Sequence, residues 1–193
     1  TGSVYDQAGN PNDAPSNTLS VTYDTVAPSV TVEQAAGQAD PAGAAPIEFT
    51  VTFDEPVASF TGANLTLGGS APGTLSASVS GGPSVYTVAL SGMTGSGTVT
   101  AALAAGAVSD PAGNPNAGSS STDNQVMFDP VVPIVTGIVR ADPNPTAVAT
   151  VVFAVTFSKD VTGVDASDFA LVASGLTGAG ITNVLGSGAS WSV

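Results

Sequence analysis

Short stretches in which large apolar residues alternate with polar ones recur along the chain, separated by turns rich in Gly, Pro and Asp. The alternation is clearest in residues 47–53 and returns in residues 85–90 and 99–103. Because successive side chains of a strand point to opposite faces, this period of two predicts strands with one buried face. No apolar stripe of helical period and length occurs. About seven short strands are predicted in one stretch of the chain, at residues 30–33, 47–53, 64–67, 74–80, 85–90, 99–103 and 126–128.

The sequence also repeats itself at an interval of about 105 residues. The nonapeptide VYDQAGNPN at residues 4–12 returns as VSDPAGNPN at residues 108–116, with seven of nine positions identical. Further short segments within residues 21–88 match segments within residues 126–193 at the same spacing. We therefore expect residues 1–24 to be the C-terminal tail of a preceding repeat, residues 25–129 to be one complete repeat, and residues 130–193 to be the N-terminal part of a following repeat.

Seven strands in about 105 residues is the size of an immunoglobulin-like β-sandwich. Three features carry a resemblance to a known family: the openings at residues 24–28 and 129–133, the closing Asp-x-Ala-Gly-Asn loop, and a Val-Thr-Phe strand followed by residues 55–57. In these features the chain resembles the bacterial immunoglobulin-like tandem repeats of large surface adhesins and secreted, cell-wall-associated proteins. The resemblance implies an all-β chain of tandem sandwiches, located outside the cell or at its surface. It also implies a rod that projects a functional tip and is often stiffened by calcium.

Charge and composition narrow the function further. Fifteen acidic residues face two basic ones, Lys159 and Arg140, which gives a formal net charge of −13. Nucleic acid is therefore not an expected partner, because there is no basic surface to displace phosphate counterions. No apolar run reaches the length of about 18 residues that a membrane span needs, so membrane insertion is not expected either. The absence of Cys and His excludes thiol nucleophiles, serine–histidine triads and conventional zinc sites.

An acidic chain whose only ligand atoms are oxygens favours hard cations such as calcium. The repeated closing loop is a turn in which Asp caps the backbone and Gly takes a positive φ angle. It is also a candidate calcium site, with carboxylate oxygens from Asp6 and Asp110 and side-chain carbonyl oxygens from Asn10 and Asn114. The two interpretations stay open at this point.

Asp24 and Asp129 each follow the last strand of a repeat and precede the linker. They are either ordinary polar residues at strand ends or parts of a metal clamp across the domain boundary, joined by a neighbouring acid such as Asp40 or Asp142. A bound ion would fix the angle between successive domains. The complete set of predicted calcium ligands is Asp6, Asn10, Asp24, Asp110, Asn114 and Asp129.

Nothing in the sequence indicates catalysis. Asp54 and Glu55 are adjacent carboxylates, but neighbouring strand residues point to opposite faces, whereas a glycosidase needs two acids facing each other at about 5–10 Å. The single Trp, Trp191, aligns with Tyr86 on an apolar strand face, which favours packing in the core over stacking on a sugar. We expect no enzymatic activity.

The leading hypothesis is a structural or adhesive extracellular segment that forms a stalk or fibre, whose partners are the neighbouring repeats of the same protein. One alternative is a subunit that self-associates into fibres by strand complementation between the half-domains 130–193 and 1–24 of different molecules. Another is an accessory binding module of a secreted enzyme, which would need a groove lined by exposed aromatic side chains.

Overall fold

The structure is a computed structural model that describes residues 4–12 and 19–193. Of the predicted tail 1–24, residues 1–3 and 13–18 lie outside the described residues. The chain divides into two compact units, Thr1–Asp129 and Pro130–Val193. Its strands are β1 (Val30–Gln34), β2 (Ile47–Phe53), β3 (Leu65–Gly68), β4 (Gly73–Gly81), β5 (Val85–Met93), β6 (Gly97–Leu103), β7 (Gln125–Phe128), β8 (Val135–Arg140), β9 (Phe153–Phe157), β10 (Leu185–Ser187) and β11 (Ser190–Ser192).

The first unit contains all seven predicted strands, arranged in two antiparallel sheets. One sheet has the order β1-β2-β5-β4 and the other the order β3-β6-β7. A 3-10 turn, Gly62–Asn64, precedes β3. Six of the seven strands differ from the prediction at one or both ends by one to three residues, because backbone pairing continues through residues such as Gly81 and Ser91 that carry no apolar signal. The expectation of an all-β sandwich is confirmed.

The two sheets of the first unit share one hydrophobic core. The inward side chains of β2 are at most 2% exposed, and they lie in the same buried cluster as the inward side chains of β6. Burial of each Val, Ile, Leu or Phe side chain among them stabilises the fold by about 1.5–3 kcal/mol. At one end of the core the rings of Phe53, Phe60 and Tyr86 pack edge to face, with centroids 4.9–6.0 Å apart. The Tyr86 hydroxyl remains satisfied because it donates to the Pro83 carbonyl at 3.0 Å.

The second unit contains one antiparallel sheet of order β8-β9-β11-β10, together with a 3-10 turn at Ala166–Asp168. This is the strand order of β1-β2-β5-β4 in the first unit. Trp191 pairs with Val155 in the position in which Tyr86 pairs with Val51. The Trp191 ring nitrogen donates to the carbonyl three residues earlier, at 3.0 Å, as the Tyr86 hydroxyl does. Trp191 is half-buried and occupies the position that the alignment with Tyr86 predicts.

We predict that Phe49→Ala lowers the free energy of unfolding of the first unit by about 3–5 kcal/mol, because Phe49 is fully buried and its removal leaves a cavity. The neighbouring variant Glu48→Ala, at an exposed position on the same strand, should change it by no more than about 0.5 kcal/mol. Urea unfolding followed by circular dichroism measures both. Equal losses for the two variants would contradict the assigned direction of the β2 side chains.

Candidate functional site

The two copies of the closing loop adopt the same hydrogen-bonded structure. In the first copy the Asn10 backbone N–H donates to Asp6 Oδ1 at 2.9 Å and the Asn10 side-chain amide donates to Asp6 Oδ2 at 2.8 Å. In the second copy the same two bonds join Asn114 to Asp110, both at 2.8 Å. The first copy is exposed, whereas Asp110 is buried. Since the loop keeps its geometry in both environments, local hydrogen bonding is sufficient to form it.

The glycine and the backbone of the loop also match the interpretation as a turn. Gly113 has a φ angle of 96° and donates its N–H to the Asp110 carbonyl at 3.2 Å. Gly9 has a φ angle of 87° in the other copy. This conformation is strained for residues with a Cβ atom, so glycine is required there.

Asn116 fixes the loop to the sandwich, although it is not among the residues that the sequence predicts as functional. Its side-chain carbonyl accepts the Val108 N–H at 2.9 Å, and its amide donates to the carbonyls of Ala104, at 3.0 Å, and Ala117. The residue is 2% exposed. Its repetition as Asn12, whose carbonyl accepts the Val4 N–H at 3.1 Å, is the sequence signal that identifies it.

Three carboxylates meet beside this loop. One carboxylate oxygen from each of Asp24, Glu55 and Asp110 lies within 4.8 Å of the others, and we call these residues the acidic cluster. Glu55 is placed there by the end of β2, Asp110 by the closing loop, and Asp24 by the segment that enters the sandwich. The Asn114 amide donates to the Asp24 backbone carbonyl at 3.2 Å, which ties that segment to the loop.

The acidic cluster borders an open depression of about 390 Å³. Asp24 and Glu55 are half-buried in its wall, next to Pro56 and Pro111. A small ion could therefore reach the carboxylates of Asp24 and Glu55 from solvent.

Within the acidic cluster, Glu55 is the residue whose ionisation is opposed. Burial raises the pKa of the Glu55 carboxyl above its ordinary value of 4.5, and the negative charges of Asp110, Asp24 and Asp54 raise it further. Both basic residues of the chain lie beyond residue 129, so no Lys or Arg of the first unit offsets these charges.

Asp110 behaves differently from Glu55. Desolvation is the strongest single influence on its pKa and acts to raise it. Hydrogen bonds from the side chain and backbone of Asn114, and from the backbone of Gly113 and Ala112, outweigh desolvation and lower the pKa of Asp110 below its ordinary value of 3.8. Asp110 is thus held as a carboxylate beside Glu55, which resists ionisation.

The structure brings together only part of the predicted calcium set. Asp24 and Asp110 meet, and the acid that joins them is Glu55, which that set did not include. Asp6 and Asn10 bond to each other in the exposed copy of the loop. Asn10 and Asn114 direct their amide N–H groups, which are donors, at the Asp carboxylates.

The other predicted acids lie elsewhere in the fold. Asp129 follows β7 and accepts a hydrogen bond from the Ser96 hydroxyl at 2.9 Å, beside the turn between β5 and β6. Asp40 accepts the Met127 N–H at 2.9 Å at the same end of the sandwich. In the second unit, Asp142 accepts the Val152 N–H. Each of the three carboxylates is therefore already used as a hydrogen-bond acceptor in its own loop or unit.

Asp54 and Glu55 have separate environments, as expected for adjacent residues. The Asp54 carboxylate accepts the Ser29 hydroxyl at 2.7 Å and the Ser29 N–H at 2.8 Å. These bonds lower the pKa of Asp54, the hydroxyl bond first. In the second unit Ser158 takes the position of Asp54, and its hydroxyl oxygen accepts the Ile134 N–H at 3.0 Å.

A family model described as a bacterial Ig-like domain matches residues 24–127. No curated protein and no solved structure matches the chain. Within residues 4–12 and 19–193, no helix has the length and apolar character needed to cross a membrane.

We predict that Asn116→Ala lowers the free energy of unfolding by about 1–3 kcal/mol, because the buried Val108 N–H and two carbonyls lose their partner. The equivalent change in the exposed loop, Asn12→Ala, should cost less, since water can replace the lost bonds there. Chemical denaturation of both variants measures the difference. A loss at Asn12 as large as that at Asn116 would contradict the assigned role.

Acid should destabilise the first unit through Asp54. Its folded-state pKa is lowered from the ordinary 3.8, so the stability it contributes is complete above that value and is lost as the pH falls through the folded pKa. Thermal melts below about pH 5 should show a smaller acid-induced fall in Tm for Asp54→Asn than for the wild type. Ser29→Ala, which removes the hydroxyl partner, should reduce the fall in the same direction. An unchanged acid dependence in both variants would refute this assignment.

Proposed function

The chain belongs to the bacterial Ig-like domain family, and on that premise we propose that it is a structural segment of an extracellular or cell-surface protein, in which Ig-like sandwiches in tandem form a stalk. Domains of this family are often found on extracellular or surface proteins and are typically non-catalytic. The observation that carries the tandem arrangement is the shared strand order of β1-β2-β5-β4 and β8-β9-β11-β10.

The closing loop supports the same proposal. Residues 4–12 reproduce the hydrogen bonds of residues 108–116, although only the second loop packs on the described sandwich. Beyond it, residues 21–24 repeat the sequence pattern of β7 and its following Asp. We therefore assign residues 1–24 to the end of one repeat, residues 25–129 to the next and residues 130–193 to a third. In a stalk of this kind each sandwich buries its own core, so length grows with repeat number.

We propose in addition that the acidic cluster binds a calcium ion. Calcium takes oxygen ligands at about 2.3–2.6 Å, so two ligands of one ion lie within about 5 Å of each other, which the cluster satisfies. Burial and, after it, the neighbouring carboxylates raise the pKa of Glu55, and a bound cation would offset both effects. Asp24, Glu55 and Asp110 would supply carboxylate oxygens, and Asn114 would position Asp110 and the Asp24 backbone.

In a stalk, a bound ion would make the segment that leads into the sandwich more rigid. Asp24 lies on the segment that enters the fold, whereas Glu55 and Asp110 belong to the sandwich itself. An ion shared by all three would hold that segment against the sandwich. Removal of the ion would leave it attached mainly through the Asn114 contact and would restore the repulsion.

A self-assembling fibre is the second candidate function. Val21 and Tyr23 are 93% and 89% exposed, whereas their counterparts in β7, Val126 and Phe128, are 0% and 4% exposed. The segment thus has the pattern of a final strand without the sheet that such a strand joins. The family match and the strand order that the two units share both support a tandem arrangement, so we rank the stalk first.

The accessory binding module has less support. Phe53, Phe60 and Tyr86 are buried in the core, and Trp191 is half-buried on its sheet. Tyr5 and Tyr23 are exposed, but they do not line the depression beside the acidic cluster.

Calcium should raise the Tm of the chain, and chelator should reverse the rise. When free calcium is a hundred times its dissociation constant, binding adds about 2.7 kcal/mol to the free energy of unfolding. The effect of Glu55→Gln on the Tm should have opposite signs in chelator and in calcium. In chelator it should raise the Tm, because the raised pKa shows that the charged form of Glu55 is unfavourable in the fold. In calcium it should give a lower Tm than the wild type, because a ligand is lost.

Glu48→Gln is the matched control, since it removes an exposed carboxylate of the same chemistry from β2. It should leave the calcium-dependent change in Tm as it is in the wild type. A calcium response that is absent in the wild type, or that survives in Glu55→Gln, would refute the calcium proposal. Either result would leave the family assignment intact.

A further inference from the structure

Residues 117–123 lie along the edge of β1 that does not pair with β2, and they run parallel to β1. The pairing is parallel, as the bridge between Thr31 and Ser120 shows. The backbone hydrogen bonds between the two segments are Ala117 N–H to Pro28 O at 2.9 Å, Ser120 N–H to Val30 O at 3.0 Å and Gln34 N–H to Asp123 O at 2.6 Å. Because residues 117–123 lead directly into β7, the first and last parts of the sandwich lie side by side.

Glu33 strengthens this contact with its side chain. Its carboxylate accepts the Thr122 N–H at 3.0 Å and the Asp123 N–H at 2.7 Å. Hydrogen bonds to an ionised acceptor are about twice as strong as neutral ones. In addition, the Ser121 hydroxyl oxygen accepts the Val32 N–H at 3.2 Å.

A second parallel contact lies near the end of β7. The Ala42 N–H donates to the Met127 carbonyl and the Asp129 N–H donates to the Ala42 carbonyl, both at 2.8 Å. The bridge between Ala42 and Phe128 is also parallel. The end of β7 is therefore held by the loop between β1 and β2, and the segment before β7 is held by β1.

This arrangement decides how the sandwich responds to tension. A force applied through residues 25 and 129 pulls β1 toward its first residue and β7 toward its last residue. Because the segments are parallel and adjacent, the two pulls are opposed along one axis, and the hydrogen bonds between them are loaded together in shear. If the two segments were instead pulled apart from one end, the same hydrogen bonds would be loaded one after another.

We propose that β1, residues 117–123 and the Glu33 carboxylate form a mechanical clamp, which makes the sandwich a force-bearing element. The inference deepens the proposed stalk function, but it concerns a property of the folded chain alone. Pulling on purified protein measures the clamp wherever the protein is located.

The test is single-molecule force spectroscopy on the full chain in chelator, which removes any contribution of bound cations. The chain has no Cys, so Thr25→Cys and Pro130→Cys provide unique handles for the shear direction. Thr25→Cys with Ala112→Cys provides the control direction. Ala112 and Asp24 line the same depression, so this pair pulls both segments from one end. We expect a several-fold higher unfolding force in the shear direction, and equal forces would overturn the proposal.

Two variants distinguish a clamp from general stability. Glu33→Ala removes an acceptor from the load path and should raise the unfolding rate under shear by about 5- to 30-fold. Tyr86→Phe removes the Pro83 hydrogen bond, which lies outside the load path. It should lower equilibrium stability and leave the unfolding rate under shear nearly unchanged, because the bonds of the β4–β5 region are still intact when the clamp breaks.

Glu33→Gln retains an acceptor oxygen and should recover part of the loss. The proposal is overturned if Tyr86→Phe accelerates unfolding under shear as strongly as Glu33→Ala does. That failure would leave the calcium response and the family assignment untouched. Conversely, a missing calcium response would leave the clamp unaffected, since it is measured in chelator.

Discussion

The inward face of β2 is the constraint on which the rest of the first unit depends. Its four apolar side chains are buried between the two sheets, with β1 and β5 as neighbours in the same sheet and β6 across the core. A slip of one residue would turn all four outward, so burial fixes the pairing register of β2 with β1 and β5. It also fixes where β2 ends, and Asp54 and Glu55 follow directly. The apolar core thereby sets the place of the polar groups beyond it: Asp54 bonds to Ser29, and Glu55 joins the acidic cluster.

With almost no cations in the sequence, the carboxylates of the first unit are used as acceptors for N–H and hydroxyl groups. Asp110 caps the closing loop, Asp54 fixes the start of β1 and Glu33 holds the segment before β7. Each is satisfied by hydrogen bonds without an ion pair. Glu55 is the exception, because burial and three neighbouring carboxylates raise its pKa. A divalent cation would complement the negative charge that accumulates at the acidic cluster. The clamp would carry load through Glu33, whose carboxylate is already satisfied by hydrogen bonds.

The periodic part of the structure could be predicted from the sequence, because strand burial leaves a period-two pattern within each segment. The seven strands of the first unit and the turn at Asp110 and Gly113 follow from such local signals. The membership of the acidic cluster does not, because it depends on the tertiary packing that brings the end of β2 beside the closing loop. The sequence suggests Asp40 or Asp142 as the neighbouring acid, but Asp40 lies with β7 and Asp142 bonds to Val152 in the second unit. The parallel contact of β1 could not be predicted from the sequence either, since residues 117–123 are rich in Ser and contain no apolar alternation.

The most direct measurement is the pKa of the Glu55 carboxyl, followed by carbon NMR of the folded chain in chelator and in saturating calcium. We predict a pKa above the ordinary 4.5 in chelator, because burial and like charges oppose ionisation. In calcium we predict a lower pKa than in chelator, because a bound ion stabilises the carboxylate. A pKa that is raised in chelator and unmoved by calcium would contradict the cation site. A pKa that is not raised in chelator would contradict the electrostatic account of the acidic cluster itself.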